Sequence, residues 1–331
     1  MKNKTLLYLL LFLALGAGSV WLLSSQDEGK STYNAWERDF KVEQTDEIRK
    51  IFLADRKGNT TQLEREGDHW IYNGKYRANP NVVGNLLEVI RLVEIKYIPP
   101  QAAIEPMVKD LATQGIKVEI YGAADKLLKA YYVGGTTADE RGTFMIMDGS
   151  DMPYVTSIPI MEGGLRVRYA VKGDQWRDKT VFGYDPEMIT YVSVEYPKQK
   201  SKSFVLERAA GGYSVKPYFD VTPPSTTPYR QGSAENYLTG FQRVIAEAFE
   251  NQNPLRDTIT QRVPFCVIEL RTSDGNARKF TFHPVTERNS PTNAPIPVIE
   301  SYLVDIEPDG DFVLLQHNLV KQILRPYEHF F

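Results

Sequence analysis

Leu63-Glu64-Arg65-Glu66-Gly67-Asp68-His69-Trp70-Ile71-Tyr72 has a later counterpart in Leu206-Glu207-Arg208-Ala209-Ala210-Gly211-Gly212-Tyr213-Ser214-Val215. Leu, Glu, Arg and the aromatic recur at one offset of 143 residues (63 to 206, 65 to 208, 70 to 213). A constant offset raises duplication before any other question of fold. The surroundings repeat too. Ile48-Arg49-Lys50-Ile51-Phe52-Leu53 precedes the first copy and Ile189-Thr190-Tyr191-Val192-Ser193-Val194 the second. After each copy comes a segment of helical period and then more alternating segments. The reading is therefore α+β: two tandem repeats of about 140 residues, each an antiparallel sheet packed with one main helix.

Working outward from the first copy, residues 47–53 alternate, Asp55-Arg56-Lys57-Gly58-Asn59 turns, and residues 60–65 return. Gly67-Asp68 turns again into His69-Trp70-Ile71-Tyr72, completing an antiparallel meander. Asn79-Pro80 opens a helix, because Asn can cap free N–H groups and Pro suits the first turn. Val82, Val83, Leu86, Leu87, Ile90 and Val93 share one helical face, and Pro99-Pro100 ends the element. Residues 116–121 with 129–133, and 143–147 with 154–157, read as strand pairs. The second copy follows the same order over 189–195, 203–208 and 213–217. Next comes Thr222-Pro223-Pro224-Ser225-Thr226-Thr227-Pro228, which the first copy lacks and which can be neither helix nor central strand. A second helix is expected after Ser233, its face carrying Tyr237, Leu238, Phe241, Val244, Ile245, Ala248 and Phe249. Strand pairs 267–271 with 278–282 and 302–306 with 312–315 follow, and 319–324 reads as a closing helix.

The chain has 331 residues, 42% of them hydrophobic and 24% charged, enough for a core in each copy. A net charge of −3 offers phosphate no general attraction, so nucleic acid is not an expected partner. Residues 5–23 (TLLYLLLFLALGAGSVWLL) carry no charge, close to the ~20 residues a helix needs to cross a bilayer. They read as a membrane anchor or a cleaved signal; Gly16-Ala17-Gly18-Ser19 would suit cleavage and Trp21 a membrane interface. Lys2 and Lys4 before this segment and Asp27 and Glu28 after it put the body outside the cytoplasm. The expected organisation is an anchor or signal at 1–25, a tether at 26–35, a first repeat at 36–165, a junction at 166–186 and a second repeat at 187–331. The expected location is the inner (cytoplasmic) membrane, single-pass, with the body in the periplasm.

The Leu-x-Arg strand, Trp70 with Asn73-Gly74-Lys75-Tyr76-Arg77-Ala78, the Leu-rich helix, Gly134-Gly135 and Trp176-Arg177-Asp178-Lys179 together resemble the bacterial domain of unknown function 4340 family. The resemblance covers nearly everything after the tether. It implies an exported or membrane-anchored protein, sometimes encoded beside gliding-motility or ABC-transport genes, and brings no catalytic residues. The second copy departs most, with Tyr213 in place of Trp and a proline-rich loop in place of Tyr76-Arg77-Ala78.

No residue set carries a catalytic, cofactor or metal pattern. His69, His283, His317 and His329 form no zinc spacing. Cys266, the only cysteine, reads as a buried strand residue. Asp305, Glu307, Asp309 and Gly310 imitate the start of a calcium loop, but Gln316 stands where a bidentate Glu is needed, so Pro308-Asp309-Gly310-Asp311 reads as a hairpin turn. Gly134-Gly135, Gly163-Gly164 and Gly211-Gly212 lack the neighbours of phosphate loops. Arg166, Arg168, Lys172, Arg177 and Lys179 gather near the junction, either solvated or facing an acidic partner. Nineteen Tyr and fifteen Phe leave room for a binding face. The expected function is a non-enzymatic, membrane-anchored accessory protein, attached through residues 5–23, that binds or assembles a partner of a transport or motility machine. A carbohydrate- or cell-wall-binding module is the alternative, and the sequence identifies no small-molecule ligand.

Overall fold

Strands dominate the chain, and every pairing between them is antiparallel. The computed structural model describes residues 35–159, 163–285 and 299–331. The chain divides after Asp178 into two compact units.

The first unit begins with β1 (Lys50–Ala54), β2 (Thr60–Glu66), β3 (His69–Tyr72) and β4 (Tyr76–Arg77). Helix α1 (Pro80–Leu92), β5 (Glu94–Tyr97), α2 (Gln101–Gln114), β6 (Ile116–Tyr121), β7 (Leu127–Thr136), β8 (Thr143–Met147), β9 (Tyr154–Ser157) and the short α3 (Arg166–Tyr169) follow. The nine strands form one sheet in the order β4-β3-β2-β1-β6-β7-β8-β9-β5. Alternation in β1 sends Ile51 and Leu53 inward, opposite Leu63 and Thr61 of β2 and Ile120 and Val118 of β6. Asp55 closes the first hairpin by accepting the N–H groups of Lys57 (2.9 Å) and Asn59 (3.0 Å). Asn79 Oδ1 accepts the N–H of Asn81 (3.0 Å) and so caps α1, whose Val83, Leu86, Val89 and Ile90 are buried.

Two details of this unit escape a reading of periodicity. Helix α2 forms directly after Pro99-Pro100 and contains Pro106, with only Met107 and Leu111 buried. Proline at its start is compatible with a first turn, although two prolines also resemble a stop. Gly134-Gly135 is not a strand end but lies inside β7, where α2 crosses closely: Asp110 Oδ2 accepts the Gly135 N–H at 2.6 Å. A Cβ on Gly134 would meet that oxygen at 2.8 Å and Leu111 Cδ2 at 3.0 Å. Residues 166–178 also pack into this unit. Trp176 is fully buried and its Nε1 donates to Val171 O at 2.9 Å, while the Tyr169 and Tyr131 hydroxyls lie 3.1 Å apart in the core.

The second unit contains β10 (Thr180–Phe182), β11 (Ile189–Glu195), β12 (Phe204–Ala209), β13 (Gly212–Pro217), α4 (Ser233–Leu238), β14 (Val244–Ile245) and β15 (Ala248–Phe249). It continues through α5 (Arg256–Thr260), β16 (Cys266–Thr272), β17 (Ala277–Pro284), β18 (Ser301–Glu307), β19 (Asp311–Gln316) and α6 (His317–Val320). Its sheet order is β13-β12-β11-β16-β17-β18-β19-β15, and β10 pairs separately with β14. Once β4 is set aside, this is the strand order of the first sheet, position for position. Leu63 and Leu206 occupy equivalent strands, β2 and β12, and both are fully buried. Phe182, Phe204, Tyr237, Phe241, Phe280 and Phe330 build the core with ring contacts such as Phe182–Phe280 at 4.3 Å and Phe204–Phe330 at 4.8 Å.

The α+β reading, with an N-terminal transmembrane helix and one main helix against each sheet, is corrected on three counts. The protein is mostly β. The first unit carries two long helices, and the second has none among its described residues: the expected helix past Ser233 stops at Leu238, followed by a 3-10 turn, Thr239–Phe241. Gly240 favours helix weakly, and the β-branched Val244 and Ile245 pair instead with Phe182 and Thr180, while Ala248 and Phe249 pair with Leu314 and Val313. The closing helix is likewise short, α6. Among the described residues no helix is long and apolar enough to cross a membrane. Residues 5–23, on which the single-pass inner-membrane placement with a periplasmic body rested, lie outside the described residues, so that placement is withdrawn.

Replacing the buried Trp176 by Ala should destabilise the first unit by about 3–5 kcal/mol, read as faster urea-dependent hydrogen exchange in β1 and β6. A second expectation concerns pH. Lys172 Nζ lies 2.6 Å from Asp55 Oδ2, and this contact, helped by Asn59 and the turn N–H groups, holds the Asp55 carboxyl far below the usual carboxylate range. A depressed folded pKa contributes stability above the unfolded value of about 3.9 and loses it as pH falls through the folded one. Because Lys172 is half-exposed, Asp55→Asn should cost only about 1 kcal/mol at pH 7. The difference from the parent should shrink below about pH 4 in chemical denaturation.

Candidate functional site

The residues singled out in the sequence are not brought together. His69 contacts Asp68 at 3.0 Å, His317 contacts the Tyr302 hydroxyl at 3.1 Å, and His329 stands edge-on to Phe330. His283 is buried on β17 with no partner at Nε2, and desolvation pushes its pKa down. Cys266 is buried and its thiol is pushed well up by desolvation, the state of a packing residue. Among the described residues no group of three or more His, Cys, Asp or Glu could hold a metal. Three carboxylates near the β18–β19 turn have their own cations, Asp305 with Arg256 (2.7 Å), Glu307 with Lys279 (3.1 Å) and Asp309 with Arg278, while Asp311 accepts from the Asn251 amide at 3.1 Å. Gly310, at φ 75°, completes that turn.

Of the junction cations, Arg166, Lys172, Arg177 and Lys179 bind within their own units. Arg166 donates to Val133 O, Gly134 O and Gln114 O, and Lys179 donates to Glu247 O. Arg177 lies 3.7 Å from the Tyr76 ring centroid. In the first unit a cavity of about 190 Å³ is lined by Asp55, Asn59, Tyr72, Tyr169 and Lys172, with the Asp55–Lys172 pair at its wall. A shallower one of about 650 Å³ in the second unit is lined by Asn251, Asn253, Arg256, Asp257, Thr260 and Asp305. Asp55 and Lys172 at the first hollow, and Arg256 and Asp305 at the second, serve a turn and ion pairs.

The repeated Leu-Glu-Arg-to-aromatic pattern has a structural use. Arg65 lies 5.0 Å from the Trp70 ring and donates to Thr45 O; Arg208 lies 5.3 Å from the Tyr213 ring and donates to Glu187 O. In each unit the arginine ties the second hairpin to the 3-10 turn before the central strand (Thr45–Glu47, Pro186–Met188).

The two units differ at the edge this clamp supports. Antiparallel strands point alternate backbone groups toward and away from a neighbour. In the first unit Trp70 and Tyr72 point away from β2 and meet β4: Tyr72 pairs with Tyr76, and the Ala78 N–H reaches Trp70 O at 2.7 Å. The residues at the 143-residue offset are Tyr213 and Val215 of β13. The Tyr218 N–H bonds Ser203 O, which sets the register so that Lys216 and Ser214 face β12 while Val215 and Tyr213 face outward. Among the described residues no strand lies beyond β13. The cause is local. Asn73 and Gly74 adopt φ of 50° and 65°, and the Lys75 N–H closes the turn onto Tyr72 O, folding the chain back onto its own edge. At the same offset stand Lys216 and Pro217, and proline is restricted to negative φ, so the chain leaves instead of returning.

Beyond Pro217 the departing segment carries apolar groups into solvent: Tyr218 is 38% exposed, Val221 81% and Tyr229 41%. The proline-rich loop between them is held by the Ser225 N–H on the Tyr327 hydroxyl and by Arg230, which donates to Phe330 O and Phe331 O. Tyr218 stands edge-on to Phe219 and Tyr229 edge-on to Phe331. The sequence reading missed this site, although the substitution of Lys216-Pro217 for Asn73-Gly74 signalled it.

The family model described as Domain of unknown function (DUF4340) matches residues 73–262, from the Asn73-Gly74 turn to the approach to β16. No curated protein and no solved structure matches the chain. With more than half of its length matched, the chain belongs to the DUF4340 family.

Proposed function

We propose that the chain is a non-enzymatic accessory protein whose second unit holds a protein partner. The observation that carries this reading is the exposed apolar segment from Tyr218 to Tyr229, stiffened by Pro223, Pro224 and Pro228, beside β13, beyond which no strand lies among the described residues. Tyrosine gives large contact area for few rotatable bonds, and a loop already constrained by prolines loses less entropy when a partner orders it. That Asp55, Lys172, Arg256 and Asp305 of the two hollows are engaged in a turn and ion pairs is consistent with binding as the task. The resemblance to proteins encoded beside gliding-motility or ABC-transport genes directs the search to a component of such an assembly. Exposed rings that stand edge-on to a neighbour suit protein contact better than the open flat face a sugar ring stacks on.

Each of these side chains is exposed, so replacing Tyr218, Val221 and Tyr229 together by Ser should leave the unfolding midpoint within a few degrees. It should also lower the recovery of a crosslinked partner from intact cells about tenfold or more, because interface tyrosines commonly contribute 1–2 kcal/mol each. A parent chain that reproducibly crosslinks to nothing, or a triple variant with undiminished recovery, would refute the reading.

A further inference from the structure

We infer that β13 takes up an extended segment of the protein partner as an added antiparallel strand, with an aromatic residue opposite Val215, a polar one opposite Ser214 and a small one opposite Tyr213. The inference rests on the protein-binding reading above and specifies how the partner is held. Its template lies in the same chain. The first unit shows what completes this edge: Tyr76 opposite Tyr72, Arg77 opposite Ile71, and Ala78 bonded to Trp70. Tyr76 packs against the core, Arg77 is exposed and Ala78 is buried. Shifted by 143 residues, those partners face Val215, Ser214 and Tyr213.

The second unit keeps the parts that make such an edge rigid. Tyr213 is clamped by Arg208, Tyr213 and Val215 pack on the core, and Lys216 reaches Glu207 at 2.9 Å on the solvent side. What is missing among the described residues is the returning strand, with the Trp176-to-Asp178 backbone that bonds it in the first unit. The outward N–H and C=O groups of Tyr213 and Val215 therefore present two bonding pairs at the spacing that β4 uses in the first unit. Pro217 ends the strand without an N–H, which limits the addition to a short segment and fixes its register. A second copy of this chain offering its own β13 would set Pro217 against Tyr213, losing one of those bonds, so a partner segment is the favoured occupant.

The test uses the full chain and a fluorescent peptide, Gly-Lys-Tyr-Arg-Ala-Asn, with fluorescence anisotropy as readout. The expected result is saturable binding that falls at least tenfold when the peptide's tyrosine nitrogen is methylated. A loss of similar size is expected in Val215→Pro, which removes an outward N–H without touching the β12 ladder. The methylated peptide against the parent chain decides the matter even should Val215→Pro misfold. No saturable binding or equal binding of the methylated peptide would overturn strand addition, and a concentration-dependent dimer that Val215→Pro abolishes would overturn the partner segment as its occupant. Equal binding of the methylated peptide would still leave the Tyr218-to-Tyr229 reading standing. A chain that crosslinks to no partner yet binds the peptide in a methylation-sensitive way would instead remove that reading and keep the edge.

Discussion

The pairing of β1 with β6, and of β11 with β16, holds each sheet together. Other neighbours in the sheets are mostly hairpins joined by short turns, whereas these two ladders link the first hairpins to strands that lie far along the chain. Bringing such distant segments together carries a loop-closure cost before any contact forms. What offsets it is continuous apolar facing: Ile51 and Leu53 against Ile120 and Val118 in one unit, Val192 and Val194 against Leu270 and Ile268 in the other. A one-residue slip would turn these side chains to solvent, so the ladder sets register for all the strands outside it.

With register set, the difference between the units reduces to one turn. Asn73-Gly74 can occupy the left-handed region and sends β4 back along β3; Lys216-Pro217 cannot, and the chain runs on into an exposed loop. Bare edges invite unwanted pairing, and the second unit limits this one with a lysine and a terminal proline rather than with a covering strand. Among the described residues, two sheets of one strand order thus present one closed edge and one open edge.

Much of this was legible in the residues. The offset of Leu63 and Leu206 marks equivalent core positions, and the Arg-aromatic pair marks a clamp present in both units. The meanders and the capped helix at Asn79 follow from alternation, turn glycines and capping chemistry, and the family resemblance agrees with the family model. The α+β assignment failed where tertiary pairing overrides local period: the Tyr237-to-Phe249 segment has helical spacing, but β10 and β19 claim its second half. Helix α2 was hidden because Pro99-Pro100 reads as a stop as readily as a start. The candidate site escaped notice because the proline-rich loop was read as an insertion, when the decisive change was the loss of Asn-Gly just before it. Residues 5–23 lie outside the described structure, and no helix within it supports a membrane placement.

Amide hydrogen exchange in the full chain examines the central claim, that the equivalent edges are closed in the first unit and open in the second. Ladder amides on a buried sheet are protected, while outward edge amides exchange with solvent. The account requires Tyr72 to exchange slowly with the rest of its sheet, and Tyr213 and Val215 to exchange about a hundredfold faster than the alternating Ser214 and Lys216. Equal protection at all four positions of β13 would contradict it.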